Sequence, residues 1–178
     1  MAIDWKTFKQ MTKSYFKSMV ARNEQEAADF ITTQYISAIL TGGDLSYGNI
    51  VTPTYNQQAL SLAIGNAFIQ GATLVNEGLI PTIFGITISQ GLIGFWTGAQ
   101  LSLLVPPPGS VVVVSNIVSV PGTIISVLNV SATENENEFV DNLVDFFTQH
   151  LQTLQGITTA IVPGTPPIPT PFPWQGYG

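Results

Sequence analysis

The sequence predicts an α+β fold: a helical body of four to five helices, a long β-hairpin, and an extended proline-rich C-terminal arm. Three observations carry that prediction. Apolar residues recur at helical spacing through most of the first hundred positions and again in the stretch 134–155. Between them, β-branched residues dominate two arms flanking Pro121-Gly122. The chain then closes with VPGTPPIPTPFPWQGYG, which holds six prolines from Pro163 to Pro173. Such a segment can be neither a regular helix nor a central strand, and is expected to run extended in a polyproline-like form. Residues 1–162 are therefore read as one mainly helical domain and 163–178 as a docking arm. A chain of 178 residues can bury a proper core without disulfides or metal.

Residues 3–19 predict a basic amphipathic helix. Trp5, Phe8, Tyr15, Phe16 and Met19 fall on one side, and Lys6, Lys9, Lys13 and Lys17 line the other. Asn23 is a good N-cap for a second helix, with Glu24 and Glu26 complementing the dipole in its first turn. Its apolar stripe is Ala27, Phe30, Ile31, Ala38 and Ile39, and Gly42-Gly43 ends it. The stretch 56–78 reads as a third helix burying Leu60, Ile64, Ala67, Phe68 and Val75. Pro81 suits the start of a fourth segment that reaches about Leu103, with Phe84, Ile88, Phe95 and Ala99 at helical spacing. Glycines at 85, 91, 94 and 98 weigh against that helix, since each costs about 1 kcal/mol relative to alanine.

Pro106–Pro108 and Gly109 break the pattern. The hairpin is expected at 111–130, and a run such as Val111–Val114 should be covered or paired, because it would be hazardous as an open edge. Thr133 and Glu136 form a capping-box signature for a last helix over 134–155, with Phe139, Leu143, Phe146, Phe147, His150, Leu151 and Leu154 as its stripe and Gly156 as its stop.

Charge placement bears most directly on function. Only 9 % of residues are charged, against roughly 25 % in an ordinary soluble domain. All five basic residues, Lys6, Lys9, Lys13, Lys17 and Arg22, precede position 23. Between Asp44 and Glu134 the only charge is Glu77, and none follows Asp145. A surface so poor in charge lacks what normally discourages association, so burial against partners is expected.

The residues offer little for catalysis. Cysteine is absent, which removes thiolate chemistry, disulfide frameworks and cysteine-based metal sites. His150 is the only histidine; it falls near an apolar helical stripe, and no nucleophile-elbow motif occurs, so a structural role is expected. The acids Glu134, Glu136, Glu138, Asp141 and Asp145 lack EF-hand spacing and read as an acidic helix start. Neither phosphate-cradling glycine motif is present. The chain is thus expected to be no enzyme and to hold no cofactor or metal.

The charged N-terminus lacks the apolar run of a secretory leader. The lysine helix could touch phosphates or an anionic membrane, but reads more simply as an apolar face packed inward with lysines in water or on a partner's acids. The uncharged stretch 79–105, with its Gly94/Gly98 pair, raises a membrane span as the rival. Its scattered Thr, Ser and Gln suit a helix buried between subunits equally well.

Partner binding is therefore expected at three places: the lysines at 6, 9, 13 and 17; the hairpin positions Val112, Val114 and Ile117; and the tail aromatics Phe172, Trp174 and Tyr177. A lysine-rich amphipathic start, charge-poor helices, a Val/Ile/Ser hairpin after PPPG and the ending PTPFPWQGYG together resemble small virion structural proteins of contractile-tailed bacteriophages. That resemblance is one of overall style, with no diagnostic motif. It implies a head–tail connector, head-completion, tail-terminator or capsid-associated subunit, assembled in the host cytoplasm and contacting copies of itself and other virion proteins. The hairpin would then add to a neighbour's sheet edge. A holin-like membrane protein and a soluble host binding module are the alternatives.

Overall fold

The computed structural model describes residues 2–18, 23–43, 45–46, 51–74, 77–103, 107–113, 116–119, 136–164 and 166–178. Within them the chain is α+β with a helical body. Five α-helices, α1 (Trp5–Lys17), α2 (Glu24–Ile39), α3 (Gln57–Thr73), α4 (Ile80–Trp96) and α5 (Glu136–Gln152), accompany one antiparallel sheet. The sheet strands are β1 (Val51–Pro53), β2 (Gln100–Leu103), β3 (Val112–Val113), β4 (Asn116–Ser119), β5 (Gln155–Val162) and β6 (Ile168–Gln175).

Local chemistry sets the helix starts. Asp4 accepts from the Thr7 amide at 3.0 Å to cap α1. Asn23 and Glu26 cap α2 reciprocally, at 2.8 and 3.2 Å, the full capping box. Asn56 caps α3, and Pro81 occupies the first turn of α4. The end of α4 departs from expectation: the helix stops at Trp96, not near Leu103. Gly98 takes φ +72°, a left-handed conformation that turns the chain, and 100–103 then pairs as β2. The last helix likewise ends at Gln152, and Gly156 lies inside β5 instead of stopping a helix.

The helices pack in a row, α5 against α1, α1 against α2, α2 against α3 and α3 against α4. Being flanked on both sides, α2 buries more than the predicted stripe: Ala28, Thr32, Tyr35 and Ile36 join Ile31, Ala38 and Ile39, while Ala27 and Phe30 are only half-buried. The glycine at 91 has a packing reason, since a Cβ there would collide with Ala63 of α3, so its absence lets α3 and α4 approach closely. Tyr35 is the hub of the core. Its fully buried ring lies 4.7 Å from that of Phe147, 5.4 Å from Phe95 and 6.4 Å from Trp5. Its hydroxyl accepts from Trp96 Nε1 at 3.0 Å, which satisfies two buried polar groups at once.

Strand β5 is the spine of the sheet. On one side it pairs with β6 over its whole length, from Gln155↔Gln175 to Val162↔Ile168. On the other it pairs with β4 (Ile117↔Ile157) and then β3 (Val112↔Ile161), with one extra residue on the β3–β4 side between the two registers. Strand β4 continues to β2, and β2 to β1. The expected hairpin arm is thus inside a larger sheet: its described residues 112–113 and 116–119 pair with β5 and β2 of the same chain. Its second arm, the Pro121-Gly122 turn and Thr133 lie outside the described residues.

Candidate assembly interface

The register of β5 and β6 gives the proline-rich arm a logic that its composition alone does not. Gly176 donates to the Leu154 carbonyl at 2.7 Å, and Val111 donates to the Ile161 carbonyl at 2.9 Å on the opposite side of β5. These two bonds fix which residues of β5 turn their backbone groups toward β6. Gly156, Thr158 and Ala160 do so, opposite Trp174, Phe172 and Thr170; Ile157, Thr159 and Ile161 do not. The prolines 169, 171 and 173 therefore all fall at positions whose backbone points away from β5, where a missing N–H costs the ladder nothing. The next outward amide, that of Gln175, donates to Ser46 Oγ at 3.0 Å.

The far edge repeats the device. Thr54 donates to the Gln100 carbonyl at 2.8 Å, so Thr52 faces β2 while Val51 and Pro53 face outward. Proline thus occupies outward positions on both β6 and β1.

Side chains divide accordingly. On one face Thr158, Ala160 and Trp174 are buried; on the other Ile157 is 52 % exposed and Pro169, Pro171 and Pro173 are exposed beside it. By backbone register Ile117 pairs with Ile157 and Val112 with Ile161. Val114 lies outside the described residues. Residues Ile157, Thr159 and Ile161, which extend the row, belong to no predicted element.

The tail aromatics are placed against their own domain. Trp174 is 3 % exposed and its indole lies flat on Gly156, where any Cβ would stand 2.7 Å from Nε1 and closer still to Cε2 and Cζ2. Tyr177 is 1 % exposed, its hydroxyl donates to the Ile39 carbonyl at 2.8 Å, and its ring lies 5.5 Å from that of Trp96. Its amide donates to Leu151 at 3.0 Å, and Gly43 and Gly178 exchange two 2.9 Å backbone bonds. Phe172 is half-buried opposite Thr158. These contacts tie the arm to its own chain. Trp174 and Tyr177 are thus buried within their own chain.

Two of the four lysines meet an acid of the same chain. Lys9 Nζ lies 3.0 Å and Lys13 Nζ 2.7 Å from the two oxygens of Asp141 on α5, and these bonds hold that carboxyl below its usual range. The basic helix thus meets the acidic helix of the same chain through Lys9, Lys13 and Asp141. Lys6 and Lys17 are exposed and have no ion-pair partner among the described residues.

The remaining chemistry is sparse. His150 is 2 % exposed, neither ring nitrogen has a hydrogen-bond partner among the described residues, and burial lowers its pKa to about 4. Ser61 does hydrogen-bond the Asp29 carboxylate, with Gln25 bridging both, yet no histidine adjoins that network. Among the described residues no group of His, Asp and Glu could hold a metal ion, and no helix is long and apolar enough to cross a membrane. Comparison of the chain with protein-family models, curated proteins and solved structures returns no match.

Proposed function

We propose that this chain is a non-catalytic structural subunit that acts by packing against other subunits, as a component of a phage virion such as a connector, head-completion, tail-terminator or capsid-associated protein. One observation carries the reading: a sheet with no Asp, Glu, Lys or Arg in any described strand turns a row of isoleucine and proline to the outside. Apolar surface left in water costs about 25 cal/mol per Å², so a contiguous row of it favours covering. The virion assignment adds to this the stylistic resemblance of the whole chain, with its lysine-rich first helix and aromatic-proline ending.

The test is size-exclusion chromatography with light scattering on the full chain made without detergent. A defined oligomer, alone or with partner virion proteins, is the expected result. A strict monomer that joins no particle when supplied to assembling virions overturns the reading, and dependence on detergent transfers it to the membrane alternative.

A further inference from the structure

We propose that the cleft where α1, α2 and α3 meet binds a quaternary ammonium group. The cleft encloses about 270 Å³, and Tyr15, Phe16 and Phe68 line it together with Glu24. Three segments build it. Tyr15 and Phe16 lie near the end of α1, and Glu24 is the first residue of α2. A Cβ on Gly65 would stand 3.7 Å from that of Ala28, so α3 crosses the first turns of α2 and carries Phe68, about one turn further on, to the same corner.

The aromatic walls are fixed before any ligand arrives. Tyr15 stacks on Phe30 with centroids 4.0 Å apart and planes at 16°. Phe16 meets Tyr15 and Phe139 edge to face, at 5.7 and 6.0 Å. Phe68 stands 5.6 Å from Phe84 and 6.0 Å from Phe139. All three rings nonetheless belong to half-buried residues, so each keeps some surface open. Walls held in this way lose little freedom on binding.

The lining selects the ligand. Aromatic rings attract a cation through their quadrupoles. The Glu24 carboxylate adds a negative charge and has no hydrogen-bond or ion-pair partner among the described residues. Glu26 stands in the same first turn, so this helix start repels an anion despite its dipole. The other polar side chains are already engaged: Ser18 Oγ donates to the Tyr15 carbonyl at 2.7 Å, and Asn23 Oδ1 accepts from the Glu26 amide at 2.8 Å. A lysine ammonium or a guanidinium carries several N–H donors and would lose their hydration here without replacement. A quaternary ammonium has no N–H to satisfy, so rings and one carboxylate suffice. The volume falls just below the roughly 300–1,000 Å³ of clefts that enclose whole ligands, which suits a headgroup. Such binding neither requires nor excludes assembly with other subunits.

Isothermal titration of the full chain with choline, and with its neutral carbon isostere 3,3-dimethylbutan-1-ol, tests the charge. Choline is expected to fill one site per chain, with the isostere at least about tenfold weaker. Glu24→Gln, on the exposed first turn of α2, should weaken choline about threefold or more, and Phe68→Leu likewise, with the circular dichroism spectrum unchanged. Should Phe68→Leu lose its fold, Glu24→Gln alone decides.

Equal binding of choline and its isostere would overturn the proposal, as would wild-type affinity for choline in Glu24→Gln, or no choline binding in the millimolar range. Flotation on phosphatidylcholine but not phosphatidylglycerol vesicles, displaced by free choline, would identify a lipid headgroup as the source of the ammonium. Choline binding without flotation would identify a soluble ammonium compound.

Discussion

Substitution of Gly156 by alanine tests how the C-terminal arm is held. Gly156 and Trp174 face each other across β5 and β6, and the indole occupies the space that a side chain at 156 would need. A Cβ would stand at 2.7 Å or less from three indole atoms, so a rigid, 3 % exposed ring must move outward by about an ångström. Overpacking of this kind typically costs about 1–3 kcal/mol, offset by roughly 0.5–1 kcal/mol because alanine restricts the unfolded strand more than glycine does. The expected loss is therefore about 1–2 kcal/mol. Trp174→Ala alone should cost about 3–5 kcal/mol, the usual range for emptying a buried tryptophan site.

The two substitutions must couple. With the indole gone, Gly156→Ala meets no obstacle and should become neutral or stabilising by about 0.5 kcal/mol. Urea unfolding of the four proteins gives the cycle directly, with the fold of each checked by circular dichroism. An interaction energy near zero, with Gly156→Ala costing the same in both backgrounds, would refute the stacking of Trp174 on Gly156 as the clasp of the arm.

Three further outcomes follow from the core and the α1–α5 contact. Burial lowers the His150 pKa from 6.5 to about 4, so between these values the unfolded chain binds a proton that the folded chain refuses. Stability should then fall as pH drops through 6.5 toward 4, by roughly 3 kcal/mol from this residue, and His150→Phe should flatten that part of the urea-midpoint profile relative to wild type; parallel profiles would count against it. Tyr35→Phe strands the buried Trp96 N–H without an acceptor and should cost about 1–3 kcal/mol in the same assay; a cost within error would remove the hydroxyl as its partner. Asp141→Asn removes the shared partner of Lys9 and Lys13 at a solvent-exposed site, so the loss should stay below about 1 kcal/mol and shrink with added salt; a loss well above that would mean the pair does more than its exposure allows.

Local chemistry made much of the helical body legible. The cap at Asn23, Pro81 at the head of α4, and the stripe Leu143, Phe146, Phe147, Leu151 on α5 depend on neighbours within a few turns, so the sequence alone determines them. The break at Pro106–Pro108 and the need for an extended C-terminal arm follow likewise from proline's fixed φ. Strand β5 is not legible in the sequence although ITTAIV carries a β-branched signal, because the helical stripe runs up to Leu154 and Gly156 has the form of its stop. Only pairing with β4 and β6 assigns that glycine to a strand, and only the indole above it explains why no side chain fits.

Pairing partners are a tertiary matter throughout. Nothing in VVVV or NIVS says that they align with β5 and β2, since many β-branched segments present equivalent ladders and long-range closure chooses among them. The same holds for charge. Composition placed every base in the first 22 residues and most acids elsewhere, but the packing of α1 beside α5 decided that Lys9 and Lys13 meet Asp141 of their own chain. It holds above all for the aromatics of the arm. Their number suggests a binding site, and because an extended, preformed strand can lie on any complementary surface, only the fold could settle that Trp174 and Tyr177 close their own core.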